Sequence, residues 1–121
     1  SMKTVLAVLS ALFLSTAVYV SIPEENNIPD LGVCVVEFNA GFNSANRVRW
    51  MDQLSDCKGE RVDIAVKPKL QAKHNIVVVP TVIIFNDGLE VKRFQANIMM
   101  ELSASKEEVQ EAIDDILMGS F

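Results

Sequence analysis

The sequence predicts an α/β domain of three layers, α/β/α, built on a mixed central sheet that closes with an antiparallel C-terminal hairpin. Three observations predict it. Val82-Ile83-Ile84-Phe85 is an unbroken β-branched and aromatic run, the composition of a strand covered on both faces. Asn86-Asp87-Gly88 follows it, residues that tolerate the positive φ of a tight hairpin turn, and residues 89–94 read as the returning strand. Upstream, apolar strand-like runs alternate with helix-like segments, and that alternation gives parallel strands joined by crossovers.

Taken in order, residues 1–17 read as a secretory signal peptide: Lys3, an apolar run over 5–14, then small residues at Ser15-Thr16-Ala17. The domain then spans 18–121 and the chain is expected in the secretory pathway or outside the cytoplasm. The competing reading makes 4–9 a first strand and 11–20 an apolar first helix, within a cytoplasmic protein. The apolar run is short for a membrane span. Residues 21–30 hold Pro23 and Pro29 and read as a loop. Residues 33–38 form a doubly buried strand with one anomaly, Glu37, whose burial requires pairing, hydrogen bonds or protonation and raises its pKa; the bland alternative is a solvated rim position.

A helix is expected from Asn43 or Ser44 as N-cap to about Leu54, with Val48, Met51 and Leu54 on its inner side and Trp50 beside that stripe. A strand over 60–66 follows. Pro68 then starts a short helix ending near His74-Asn75, with Leu70 and Ala72 facing in and His74 solvated near its end. Pro80 has no N–H to give a ladder, so it belongs at the first strand position or in a special turn, and such an X-Pro bond is a candidate for the cis isomer. Ile98, Met99 and Met100 read either as core or as an exposed sticky patch. Ser105 and Glu108 make a capping box, and Val109, Ala112, Ile113, Ile116 and Leu117 form the apolar stripe of a last helix.

At 121 residues, 50% hydrophobic and 22% charged, the chain is one folded domain and not a disordered one. Its net charge of −5 argues against nucleic acid or an anionic membrane as principal partner. Phosphate loops, dinucleotide fingerprints and zinc-type Cys/His spacings do not occur, so neither a metal nor a cofactor is expected.

Val33-Cys34-Val35-Val36-Glu37-Phe38, the Val62-Asp63 to Ile76 spacing, and Val79-Pro80-Thr81 with Phe85 and Gly88 together resemble the thioredoxin fold family over residues 33–117. The resemblance implies a buried acid at Glu37 and a cis-proline loop at Pro80. It also implies that the turn after the central strand, Phe42-Asn43-Ser44-Ala45-Asn46-Arg47, stands where redox-active members carry Trp-Cys-Gly-Pro-Cys-Lys. Both cysteine positions are then asparagine, Asn43 and Asn46. Dithiol exchange needs a thiolate at the helix start and a second thiol to resolve the mixed disulfide, and amides supply neither.

Two functions follow as expectations. The first is a redox-inactive, non-catalytic module that takes a protein or extended peptide in a groove around the degenerate turn, lined by Phe42, Val79, Pro80, Thr81 and Ala96, with Ile98 nearby; a homodimer face is the competing use of that surface. The second is a thiol–disulfide or monothiol exchange protein using Cys57. Cys34 and Cys57 read as two reduced thiols or as a structural disulfide, since the helix between them returns toward the strand's start.

Overall fold

The computed structural model describes residues 28–119, so both readings of residues 1–17 and of 11–20 lie outside the described residues. Four strands form one sheet in the order β2-β1-β3-β4: β1 (Val33–Asn39), β2 (Lys58–Asp63), β3 (Thr81–Asn86) and β4 (Leu89–Gln95). β1 pairs parallel with β2 and antiparallel with β3, and β3 pairs antiparallel with β4. Among the described residues two α-helices accompany these strands, α1 (Pro68–Lys73) and α2 (Lys106–Gly119).

The doubly apolar strands bury both faces. One face joins Val36, Phe38, Ile83 and Phe85 to Leu70 and Ile76 of the α1 region. The other joins Val35, Val82 and Ile84 to Val48, Met51, Val109 and Ile113. This is the three-layer arrangement the strand composition requires.

Local signals set the C-terminal half. Asp87 (φ 52°) and Gly88 (φ 83°) supply the two positive dihedrals of a two-residue hairpin whose right-handed twist suits the flanking strands. Asp87 also locks the turn to the start of β1: its N–H donates to the Gly32 carbonyl at 3.0 Å and its Oδ1 accepts the Gly32 N–H at 2.8 Å. Ser105 Oγ accepts the Glu108 N–H at 3.1 Å while Glu108 Oε1 accepts the Ser105 N–H at 3.2 Å, the reciprocal capping box. At the end of α1, Asn75 takes φ 52° and the Ile76 N–H reaches back to the Gln71 carbonyl at 3.0 Å, closing the last turn. Arg93 of β4 covers the carbonyls of His74 and Asn75 at 2.8 and 3.2 Å and pairs with Glu90.

Four sequence expectations are corrected here. The helix expected from Asn43 or Ser44 to Leu54 is two 3-10 turns, Gly41–Asn46 and Met51–Gln53, with Arg47 extended between them (φ −61°, ψ 150°) and no side-chain N-cap. Its inward residues were nonetheless the right ones: Val48 and Met51 are buried and Leu54 packs beside them. The strand expected over 60–66 runs instead over Lys58–Asp63, because Asp63 turns the chain by accepting the Val66 and Lys67 N–H groups on its carbonyl. His74 is half-buried between the rings of Phe38 and Phe85, at centroid distances of 5.6 and 5.2 Å, and not solvated. Of the α1 residues expected inside, Leu70 is buried and Ala72 is exposed.

Candidate functional site

The site grows from the C-terminal end of β1, where three connections meet: the turn at Gly41–Asn46, the loop before β3 and the loop after β4. Glu37 is 1% exposed and is fully engaged. Its Oε2 accepts the Val48 N–H at 2.9 Å and the Asn39 side chain at 3.4 Å, and its Oε1 meets Arg61 Nη1. Arg61 is its cross-strand neighbour, so register alone brings the two side chains to one face. Arg61 Nη2 also donates to the Val48 carbonyl at 2.7 Å. The ion pair therefore holds both backbone groups of Val48, which a continuous helix would have used internally. Asparagine-rich sequence at 43–46 favours the same break, because short amide side chains compete for backbone partners. Burial pushes the Glu37 carboxyl up, opposed first by the Val48 N–H and then by Arg61.

From Glu37 a chain of amides runs into the turn. Asn39 Oδ1 accepts from Asn43 Nδ2 at 3.2 Å and Asn46 Nδ2 donates to Asn43 Oδ1 at 3.0 Å. The buried Asn43 Nδ2 further reaches the Met100 carbonyl at 3.1 Å and the Val79 carbonyl at 3.4 Å. One side chain thus ties the turn to both neighbouring loops. The Val79–Pro80 peptide bond is cis, and Thr81 Oγ1 donates to the Val78 carbonyl at 2.7 Å.

The groove expectation divides. Phe42 is 79% exposed, and together with Val77 (70%), Ile98 (99%), Met99 and Met100 it forms an apolar rim. Val79, Pro80 and Thr81 are buried; Pro80 and Thr81 underlie the site, while Val79, itself in the core, forms part of its floor. Ala96 is half-buried and its N–H bonds the Pro80 carbonyl at 3.0 Å. A hollow of about 420 Å³ opens among Phe42, Val77, Val79, Ile98 and Met100. Val77 was missed from the sequence because it sits in an apolar run, Val77-Val78-Val79, that gives no sign of which member turns outward.

The cysteines are free thiols. Cys34 opposes Lys58 in the β1–β2 ladder and turns to the α1 face, while Cys57, one residue earlier, packs against the other face. Alternation along the strand points them apart, so of the two readings the reduced pair holds and no Cys34–Cys57 bridge is made. Burial pushes the Cys34 thiol up to about 11. The Cys57 thiol is also raised, by burial and then by the Asp56 carboxylate. No cluster of His, Cys, Asp and Glu suited to a metal occurs among the described residues.

The fold is that of solved thioredoxins. It is similar to a thioredoxin variant from Halobacterium salinarum (18% identity, TM-score 0.57, 71% of this chain and 75% of that one). It is likewise similar to thioredoxins from Schistosoma mansoni (21%, 0.56, 71% and 78%) and Fasciola hepatica (22%, 0.51, 70% and 82%). No protein-family model matches the sequence, and no curated protein matches it significantly. The chain is a thioredoxin-fold protein, and at these identities the likeness carries its fold.

Proposed function

We propose that this protein is a non-catalytic binding module of the thioredoxin fold, taking a protein or an extended peptide on the face around Phe42 and the Val79–Pro80 loop. The observation that carries the reading is Asn43. Where exchange chemistry would need a free thiolate, a buried carboxamide spends its hydrogen bonds on Asn39, Val79, Met100 and Asn46. It serves as a structural tie with no nucleophilic character. Around it lies an exposed apolar rim of the kind that marks a partner surface. Among the described residues the Val77, Val78 and Val79 N–H groups donate to no backbone carbonyl, leaving an edge suited to strand-like pairing.

The rival, exchange through Cys57, has the raised thiol against it, since a reactive cysteine is a depressed one. Three measurements decide. Insulin reduction by the protein with dithiothreitol is expected at the uncatalysed rate, unchanged by Cys57→Ser. In NMR titration, a short peptide of alternating Val and Ser is expected to move the amides of Val77, Val79 and Ile98. Catalysed reduction lost in Cys57→Ser would overturn the reading. So would a mass that doubles with concentration and falls to monomer in Ile98→Lys, which would make the rim a contact between two copies.

A further inference from the structure

We infer that the partner of this face is an acidic protein segment: a stretch of another chain whose apolar side chains enter the hollow beside Phe42 and whose carboxylates meet Arg47 and Arg49. This rests on the binding reading above and names its occupant.

The four arginines of the chain divide into two kinds. Arg61 and Arg93 are consumed by the fold, paired with Glu37 and Glu90. Arg47 and Arg49 are exposed, and neither is in an ion pair among the described residues. Their guanidinium groups donate only to turn carbonyls, Ser44 at 3.3 Å and Ala45 at 3.4 Å. Such long contacts to neutral oxygens leave a bidentate fork open to a carboxylate.

Their position selects the partner. Arg47, Arg49, Trp50, Glu101 and Leu102 help line a second hollow, of about 380 Å³. The two hollows are bordered by consecutive residues of one loop, Met100 in the first and Glu101 in the second. Two positive charges stand there against the carboxylate of Glu101, with the buried Glu37 also acting on Arg47. An occupant spanning Met100 and Glu101 therefore meets apolar anchors in one hollow and, in the other, exposed guanidinium groups outside any ion pair among the described residues. The chain's net charge of −5 does not cancel this, because at physiological salt charges beyond about 8 Å are largely screened. Phosphate-rich partners fit less well. The rim adjoining the arginines is apolar, with Phe42, Val77, Ile98 and Met99 exposed.

The test uses two labelled peptides with the same alternating Val and Ser body, one ending in Asp-Glu-Asp and the other in Lys-Ser-Lys. Affinity comes from fluorescence anisotropy and position from NMR. The acidic peptide is expected to bind about tenfold more tightly, and to lose about tenfold in Arg47→Glu/Arg49→Glu, the size of two exposed charge pairs reversed. Its affinity should also fall with added salt. Equal binding of both peptides, or an unchanged affinity in the double variant, overturns the acidic assignment and leaves the binding face intact. If neither peptide binds, the binding face itself fails. Arginine-dependent binding of phosphatidylserine vesicles or a single-stranded oligonucleotide, with no acidic-peptide binding, also overturns the assignment. If circular dichroism shows the double variant unfolded, Arg49→Gln and the wild-type salt titration decide: no change in either overturns it.

Discussion

The stretch between β1 and β2 packs on the same sheet face as α2, yet it and the region from β3 to the end of α2 are held by different means. From β3 onward each turn has a local closure, Asp87-Gly88 by its dihedrals, Ser105 and Glu108 by a box three residues wide, α2 by its apolar stripe, with the bonds of Asp87 to Gly32 and of Gln110 to Ser55 added to it. Between Gly41 and Gln53 the backbone is broken into 3-10 turns, and its polar groups are satisfied from far along the chain, by Glu37, Arg61, Val79 and Met100. A segment held by remote polar groups depends on the sheet being in place, whereas a segment held by neighbours does not.

The sharpest way to break that contrast is Glu37→Ala. It strands the buried Val48 N–H and leaves a void, while Arg61, whose side chain is 46% exposed, returns to water. The expected cost is about 2–4 kcal/mol in urea unfolding, with early loss of Trp50 fluorescence, since the only tryptophan packs beside Val48. A uniform loss across both regions in hydrogen exchange would remove the distinction. Changes on the locally held side should cost less. Gly88→Ala forces a Cβ into a φ of 83°, at about 1–2 kcal/mol, and that Cβ would make only ordinary van der Waals contacts with Pro29 and Asp30, at 3.8 Å, which add no clash. Ser105→Ala removes one cap, at about 1 kcal/mol. Both should leave the Trp50 signal of the native state unchanged.

The smallest effect is one of pH. Burial, then Lys73 and Arg93, hold the His74 imidazole below its ordinary value of 6.5, with Glu90 opposing. The unfolded chain therefore takes up that proton first, and stability present above about pH 6.5 is lost as pH falls toward the folded value. Glu37 runs the other way: its raised carboxyl contributes below its ordinary 4.5, and that contribution fades as pH rises through the folded value. His74→Phe keeps a ring against Phe38 and Phe85 and should flatten the mildly acidic slope, measured by unfolding at about pH 7 and about pH 5. An unchanged slope would assign it to other groups.

Read from sequence, the site was half visible. Phe42, Asn43 and Asn46 stood out because they occupy positions where the family resemblance implies other chemistry, and Glu37 because a carboxylate in an apolar strand has to be accounted for. The outward turn of Val77, the burial of Val79, Pro80 and Thr81, and the opposed faces of Cys34 and Cys57 depend on loop path and on strand register, which residue type does not encode.

Sequence by itself determined the elements with strong local physics: the doubly buried strands, the hairpin turn, the capped last helix, and the absence of a dithiol at Asn43 and Asn46. Tertiary structure alone decided that residues 44–54 are not a helix. Helix propensity there is weak, and the choice passed to hydrogen bonds whose donors and acceptors sit on β1, β2 and two distant loops. Their loop-closure cost is met only once the sheet has formed, and no local window of sequence contains both ends of such a bond.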